Sequence, residues 1–197
     1  MPNWCLDSVM FYPGEKGSLE NLKQLQQDLE TALETIDEGS DNWIGRLLTY
    51  KGTSYERTKN REAIYCRSFV DYMDSLEDVQ EFECFEIKSS SAWRPMVEMY
   101  DWIADTYQLE YVICAEEPGD ELYVNTDTEG IYYQERYYIS CDQDEEKFDF
   151  DFAYCVSLKQ VVQFLKEINL PATESMSLEE LNQLHDEVSI YEFSASV

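Results

Sequence analysis

Apolar and polar positions recur along this chain in patterns that predict a series of short strands and helices. Residues 3–12 (NWCLDSVMFY) are apolar and strand-like, and Pro13-Gly14 predicts a turn after them. Leucines then recur at three- and four-residue steps behind Ser18, a favourable N-cap, which predicts a helix to about residue 36. A short helix is predicted over 43–50, before a polar loop over 51–61.

The middle of the chain predicts strands and one long helix. Strands are expected over 63–72, 81–89 and 109–115, with Phe82, Cys84 and Glu86 on one face of the second. A polar turn or short helix is expected from Ser75. The helix begins near Pro95, where a missing N–H group costs little. Its buried side is predicted to consist of Met96, Met99, Tyr100, Ile103 and Tyr107.

The last third of the chain predicts a hairpin followed by helices. Residues 121–125 and 131–141 are expected to pair across a turn at 126–130. Capping boxes formed by Ser157 with Gln160, and by Ser177 with Glu180, predict helices to about residues 168 and 186. A short closing strand is expected over 189–193.

This order of elements predicts an α+β sandwich with a mainly antiparallel sheet. The predicted domains are the sandwich over 1–155 and a helical C-terminal extension over 156–197 that packs on it. There are no internal repeats, and no linker is long enough to require another boundary.

Charge is the feature of the composition that bears most on function. The 197 residues include 42 acidic and 14 basic side chains, for a formal net charge of −28. Disorder does not fit, because hydrophobic residues make up 44% of the chain and are evenly spread. A folded acidic surface is expected to repel nucleic acids and anionic membranes and to attract basic proteins or cations.

The amino-terminal stretch does not fit a signal peptide, because it lacks a basic region and a long apolar run and is interrupted by Asp7. No apolar run approaches the length of a membrane span, so a cytoplasmic protein is expected. In a reducing compartment the cysteines are expected to be free thiols, with disulfides as the less favoured alternative. The six cysteines are Cys5, Cys66, Cys84, Cys114, Cys141 and Cys155.

Three short motifs occur in order along the chain. They are Met1-Pro2-Asn3-Trp4-Cys5, the segment 85–95 (FEIKSSSAWRP), and Glu116-Glu117-Pro118-Gly119. Together they resemble a family of phage and plasmid proteins with a YubB-type ferredoxin-like domain, which has an M-P-N-W-C start, a T/S-A-W-x-P turn and an E-P-G turn. The resemblance covers residues 1–5 and 82–141. A glycine usual after the E-P-G strand is missing here, as is a counterpart to the tail after Cys141.

The resemblance implies a ferredoxin-like sandwich, with helices on one face of the sheet, and an origin on a mobile genetic element. It implies no known activity, and no catalytic residue can be carried over from it.

Signals for an enzyme are few. His185 is the single histidine and is expected in an acidic helix, and there is no C-x-x-C pair, so the usual zinc sites are disfavoured. Phosphate-binding glycine loops and the G-x-S-x-G motif are absent. Oxygen ligands for Ca²⁺ or Mg²⁺ could come from residues 142–146, but this segment lacks the EF-hand pattern and a solvated acidic loop is favoured. The prediction is a protein without catalytic activity, cofactor or metal.

Basic residues are concentrated in the segment 46–67. They are Arg46, Lys51, Arg57, Lys59, Arg61 and Arg67. Tyrosines interleave with them, which suits nucleic-acid binding by stacking. The net charge opposes that function, and pairing of these bases with neighbouring acids in the fold is favoured.

Acidic residues form two dense patches that suggest a different function. The first consists of Asp71, Asp74, Glu77, Asp78, Glu81, Glu83 and Glu86, and the second of Asp142, Asp144, Glu145, Glu146, Asp149 and Asp151. In the second, Phe148, Phe150 and Phe152 alternate with acids, which predicts a strand with aromatic and acidic faces.

Such carboxylate rows could occupy the nucleic-acid channel of a basic nuclease, such as a CRISPR effector or a restriction enzyme of a host. The sequence therefore suggests an anti-CRISPR or anti-restriction inhibitor. Two alternatives remain open. One is a phage or plasmid accessory protein without mimicry, and the other is a small enzyme or nucleic-acid binder that uses the segment 46–67.

Overall fold

The computed structural model describes residues 3–34, 42–53, 55–56, 64–141 and 150–197, with the backbone alone at 55–56. The chain forms two compact units. The first is Met1–Leu122 together with Val197, and the second is Tyr123–Ser196. The predicted boundary at 155/156 falls inside the second unit.

The first unit is built on an antiparallel sheet. Its strands are β1 (Trp4–Tyr12), β2 (Tyr55–Glu56), β3 (Ile64–Tyr65), β4 (Ser68–Met73), β5 (Phe85–Ala92) and β6 (Glu110–Glu117). Within this unit the sheet has the order β4-β5-β1-β6, and β2 pairs with β3 separately. The next strand, β7 (Leu122–Asn125), begins at the last residue before the second unit. In the central strand, β1, Cys5, Asp7, Val9 and Phe11 alternate inward and are buried, which the period of a strand requires.

The described residues of the first unit form four helices. They are α1 (Leu19–Glu34), α2 (Arg46–Tyr50), α3 (Leu76–Phe82) and α4 (Val97–Tyr107), and a short 3₁₀ turn covers Pro118–Asp120. Leu22, Leu25 and Leu29 of α1 are fully buried in a core shared with β1 and α4. All five residues predicted for the buried side of α4 are buried, so this helix and its face are confirmed.

The second unit contains a three-stranded antiparallel sheet with the order β10-β8-β9. Its strands are β8 (Tyr137–Cys141), β9 (Phe152–Cys155) and β10 (Val188–Glu192), and its helices are α5 (Leu158–Glu167) and α6 (Leu178–Asn182). A separate core joins Ile139 and Ile190 from the sheet to Val161 and Leu165 from α5. The mixed α+β class is thus confirmed.

The predicted strand over 81–89 is wrong in its first half. A capping box between Ser75 and Asp78 starts α3, which continues to Phe82. Glu83 then adopts a left-handed conformation (φ 54°) that ends the helix. The strand β5 begins at Phe85, so Phe82 does not share a strand face with Glu86.

The predicted hairpin of 121–125 with 131–141 is also wrong. The buried Asp127 carboxylate accepts hydrogen bonds from the backbone N–H groups of Gly130, Tyr132 and Tyr133, at 2.6–3.0 Å. These bonds fold the segment into a compact loop instead of a strand, because a side-chain acceptor offers the backbone an alternative to a ladder. The strand β8 starts only at Tyr137 and pairs with β9 and β10.

Candidate partner-binding surface

The first acidic patch lies on the connection from β4 through α3 to β5. Asp71 is on β4, Asp74 follows that strand, and Glu86 is on β5. Glu77, Asp78 and Glu81 belong to α3, and Glu83 is its C-cap. All seven predicted residues therefore lie on the strand-helix-strand segment 71–86 of the first unit. We call them the α3 acidic surface.

Two of these carboxylates, Asp74 and Asp78, hold the local backbone, and a third, Asp71, bonds a side chain of the neighbouring strand. Asp74 accepts from the backbone N–H of Glu86 at 2.7 Å and from the Tyr72 hydroxyl at 2.9 Å. Asp78 accepts from the Ser75 hydroxyl at 2.6 Å and from the Ser75 backbone N–H at 3.0 Å, and these hydrogen bonds lower the pKa of Asp78. Asp71 accepts from the Ser90 hydroxyl at 2.6 Å. The acceptors fix the turn at each end of α3, so the surface is built on a defined backbone.

The remaining acids of α3 point into solvent. Glu77, Glu81 and Glu83 are exposed. Glu77 and Glu81 are four residues apart on one helix, where two like charges destabilise the helix. Phe82 stands beside them with 63% of its surface exposed. An exposed aromatic ring among carboxylates is a composition that favours recognition of a partner, because aromatic side chains anchor interfaces.

Lys88 is the basic residue within this region of β5. Its ammonium group lies 3.5 Å from Glu86 and 5.6 Å from the centre of the Tyr72 ring. The hydrogen bond from Tyr72 to Asp74 raises the pKa of Tyr72 to about 12, so that hydroxyl stays protonated at neutral pH. In the described part of the chain, one lysine against seven carboxylates leaves the α3 acidic surface strongly negative.

The second acidic patch falls mostly outside the described residues, which exclude Asp142, Asp144, Glu145, Glu146 and Asp149. Asp151 is described, is exposed, and directly precedes β9. The predicted alternation of aromatic and acidic faces is wrong where it can be followed. Phe150 lies before the strand and packs edge-on against Phe164 at 4.9 Å, whereas Phe152 is 55% exposed. Phe148 lies outside the described residues.

The basic residues of the segment 46–67 have different surroundings in the fold. Arg46 donates to the Leu33 carbonyl at 2.9 Å, and Lys51 pairs with Asp28 at 2.6 Å. The expectation that bases pair within the fold is therefore met by Lys51. Arg67 lies beside a pocket of the first unit. The described residues do not include Arg57, Lys59 or Arg61.

Two side chains whose pKa values are strongly raised, Asp7 and Cys66, are buried. Burial raises the pKa of Asp7 to about 7 and that of Cys66 to about 12. All six cysteines are free thiols, as predicted. His185 is not in a helix, because α6 ends at Asn182, and its Nδ1 accepts from the Glu187 backbone N–H at 3.2 Å.

Among the residues of the described ranges, no group of three or more histidine, cysteine or acidic side chains is arranged to hold a metal ion. In the same ranges, no helix has the length and apolar character needed to cross a membrane.

Comparison with known proteins gives no relative for this chain. No protein-family model, curated protein or solved structure matches it significantly. Function therefore has to be argued from the geometry of this chain itself.

Sequence reasoning missed two features of the first unit. Phe82 was assigned to a strand face, whereas it is an exposed ring at the end of α3. Arg67 and Trp93 were not connected, although both line one pocket. The S-x-x-D spacing of Ser75 and Asp78, a variant of the capping box, was the available signal for α3. No local signal joins Arg67 to Trp93, because 25 intervening residues separate them.

Proposed function

We propose that this protein binds a basic nucleic-acid-binding nuclease, such as a CRISPR effector or a restriction enzyme, and inhibits it by occupying its nucleic-acid site. The observation that carries the proposal is the α3 acidic surface. Seven carboxylates lie on the segment 71–86, with Lys88 as the one neighbouring lysine among the described residues, and the exposed Phe82 lies in the same segment.

Rigidity of the surface supports this function. The capping box of α3 and the Asp74 hydrogen bonds define the backbone that carries the exposed acids. A preformed row of carboxylates loses less conformational entropy on binding than a disordered acidic tail. The net charge of −28 would also increase the rate of encounter with a basic partner and slow encounter with nucleic acid.

The proposal extends to fold family and origin. Apart from the short elements α2, β2, β3 and α3, the order β1-α1-β4-β5-α4-β6 follows a β-α-β-β-α-β pattern, and the sheet order β4-β5-β1-β6 is antiparallel throughout. This arrangement supports a ferredoxin-like sandwich. The motifs shared with phage and plasmid proteins support a mobile-element origin and a cytoplasmic site of action, where host nucleases would be the natural target.

The test is a cleavage assay with a panel of purified CRISPR effectors and restriction enzymes, at low and high salt. We expect the protein to inhibit at least one of them, less at high salt because exposed charges are screened. Reversal of the exposed acids in a Glu77→Lys, Glu81→Lys, Glu83→Lys variant should abolish inhibition.

The matched control reverses three exposed acids of the second unit, Glu167→Lys, Glu174→Lys and Glu179→Lys. It changes the net charge by the same amount and should retain most of the inhibition. Equal loss in both variants would mean that net charge alone acts, and inhibition that survives the α3 variant would remove this surface from the mechanism.

A further inference from the structure

A pocket of about 640 Å³ opens on the first unit where β5 ends and α4 begins. Its lining includes Tyr65, Arg67, Trp93, Arg94 and Glu98. The volume lies within the range of about 300–1,000 Å³ that is typical of small-molecule sites. No residue of the α3 acidic surface lines this pocket, so its ligand is a question separate from the proposed inhibition.

Two arginines at this pocket have unused guanidinium groups. The described side chains include four arginines, of which Arg46 and Arg136 donate to backbone carbonyls. Across the described ranges, the guanidinium groups of Arg67 and Arg94 have neither an ion-pair partner nor a hydrogen-bond acceptor. In a chain with 42 acids, two unpaired arginines that line one pocket favour binding of an added anion.

Trp93 presents an aromatic ring at the same pocket. Its side chain is 45% exposed, and within the described portion it stacks on no other ring, unlike Trp4 and Trp43, which both contact Phe69. Its backbone has a φ of 73°, in the left-handed region that bulky residues avoid. Hydrogen bonds from Trp93 N to the Asn3 carbonyl and from Ala92 N to the Arg67 carbonyl hold this conformation, both at 2.9 Å. Strain of this kind is characteristic of ligand sites.

Glu98 adds an acceptor to the pocket. One carboxylate oxygen, Oε2, accepts from the Tyr65 backbone N–H at 3.0 Å, which fixes the side chain, and Oε1 is left for another donor. A fixed carboxylate of this kind is suited to the hydroxyls of a ribose. Arginine, tryptophan and glutamate thus offer three complementary chemistries on one wall.

We propose that this pocket binds a free nucleotide. The guanidinium groups of Arg67 and Arg94 hold the phosphates, the ring of Trp93 stacks on the base, and Glu98 accepts from the ribose hydroxyls. Arginine forks match phosphate oxygens, and stacking on tryptophan tolerates any base. The net negative charge favours a short ligand over a long polyanion, because repulsion grows with the number of phosphates.

The test is calorimetric titration of the full chain with ATP, tripolyphosphate, adenosine and a 5′-phosphorylated oligonucleotide. We expect saturable binding of ATP that is at least about tenfold tighter than binding of the other three, a difference of 1.4 kcal/mol. Equal binding of tripolyphosphate would overturn the role of the base, and tighter binding of the oligonucleotide would overturn the preference for a free nucleotide. Absence of ATP binding would overturn the site.

Variants assign the binding to this pocket. Arg67→Met with Arg94→Met should weaken ATP binding at least about tenfold. The charge-matched control, Lys159→Met with Lys166→Met on α5, should leave it unchanged. Equal weakening in both pairs would overturn the assignment.

Trp93→Gly separates a binding role from a structural one. Glycine adopts a positive φ without strain, so the midpoint of thermal unfolding should stay unchanged or rise while ATP binding is lost. Trp93→Phe should retain part of the binding, because it keeps a ring. Full ATP binding by Trp93→Gly would overturn the role assigned to the ring.

Discussion

At the scale of single residues, the most informative group is a buried carboxylate with no positive partner. Asp7 is 2% exposed on the central strand β1. Its Oδ2 accepts a short hydrogen bond from the Tyr100 hydroxyl and another from Ser89 at 3.2 Å. Its Oδ1 has no hydrogen-bond partner. Burial disfavours the charged form, so the pKa of Asp7 rises to about 7.

The raised pKa predicts how stability depends on pH. Between about pH 4 and pH 7 the folded protein keeps a proton on Asp7 that the unfolded chain has lost. The free energy of unfolding should therefore fall as pH rises through this window, with a slope from Asp7 of at most about 1.4 kcal/mol per pH unit.

Asp7→Asn should remove that slope, because an amide does not titrate. The measurement is urea unfolding from pH 4 to pH 8, with Asp105→Asn on the exposed side of α4 as the control. A slope unchanged in Asp7→Asn would show that another group is responsible.

A second prediction concerns Asp28, a buried carboxylate that does have a cation. Burial alone would raise its pKa, but hydrogen bonds from Lys51, Tyr107 and Gln24 outweigh burial and lower it. The ionised form therefore stabilises the fold above the pKa of an unfolded aspartate, and this contribution is lost as pH falls through the lower folded pKa.

Lys51→Met removes the cation and keeps an unbranched side chain over the Tyr107 ring. It should lower the free energy of unfolding by about 1–2 kcal/mol at neutral pH, since a mostly buried carboxylate loses a charged donor. The difference in free energy of unfolding between Lys51→Met and the unsubstituted protein should shrink at low pH, which thermal unfolding can measure. Lys23→Met, which breaks an exposed pair with Glu20, should cost less than about 1 kcal/mol. Equal costs would mean that the buried position of Asp28 does not matter.

At the scale of elements, the capping box of α3 links local structure to the proposed function. The Ser75 hydroxyl accepts from the Asp78 backbone N–H at 3.2 Å, and Asp78 bonds back to Ser75. The helix α6 starts with the same device, formed by Ser177 and Glu180. The two helices are both short, with seven and five residues, so the effects of removing their caps can be compared directly.

Ser75→Ala should cost about 1 kcal/mol and increase amide exchange in α3. Because α3 carries Glu77 and Glu81, inhibition of the target nuclease should weaken as well. Ser177→Ala should cost a similar amount of stability without weakening inhibition. The same loss of inhibition in both variants would attribute it to stability in general.

The elements also show which sequence signals are reliable. The helix α4 could be predicted together with its buried face, because a spacing of three and four residues is a local property of a helix. The prediction of a strand over 81–89 is wrong in its first half because the alternation of Phe82, Cys84 and Glu86 spans the end of α3 at Phe82 and the start of β5 at Phe85. Where caps are present, as at Ser75 and Ser177, they locate a helix start better than periodicity does.

At the scale of the whole molecule, the two separate hydrophobic cores predict that a substitution in one core destabilises mainly the unit that contains it. Leu25 is fully buried in the core of the first unit, and Leu165 is fully buried in that of the second. Leu165→Ala should cost about 2–5 kcal/mol. We expect faster amide exchange in β8, β9 and α5, with little change in β1 and α4.

Leu25→Ala is the matched variant and should give the reverse pattern of exchange. Both patterns can be read from hydrogen exchange followed by mass spectrometry of peptides. Uniform acceleration across the chain in either variant would show that the two units unfold as one.

The sequence by itself determined the net charge, the α+β class, the helices α1 and α4, and the N-caps at Ser157 and Ser177. These properties depend on composition or on residues within a few positions of each other. Only the tertiary structure decided which strands pair, as in β8 with β10, and that Arg67 and Trp93 line one pocket. Such contacts join residues far apart in the chain, and strand pairing depends on packing against non-local neighbours that no local pattern encodes.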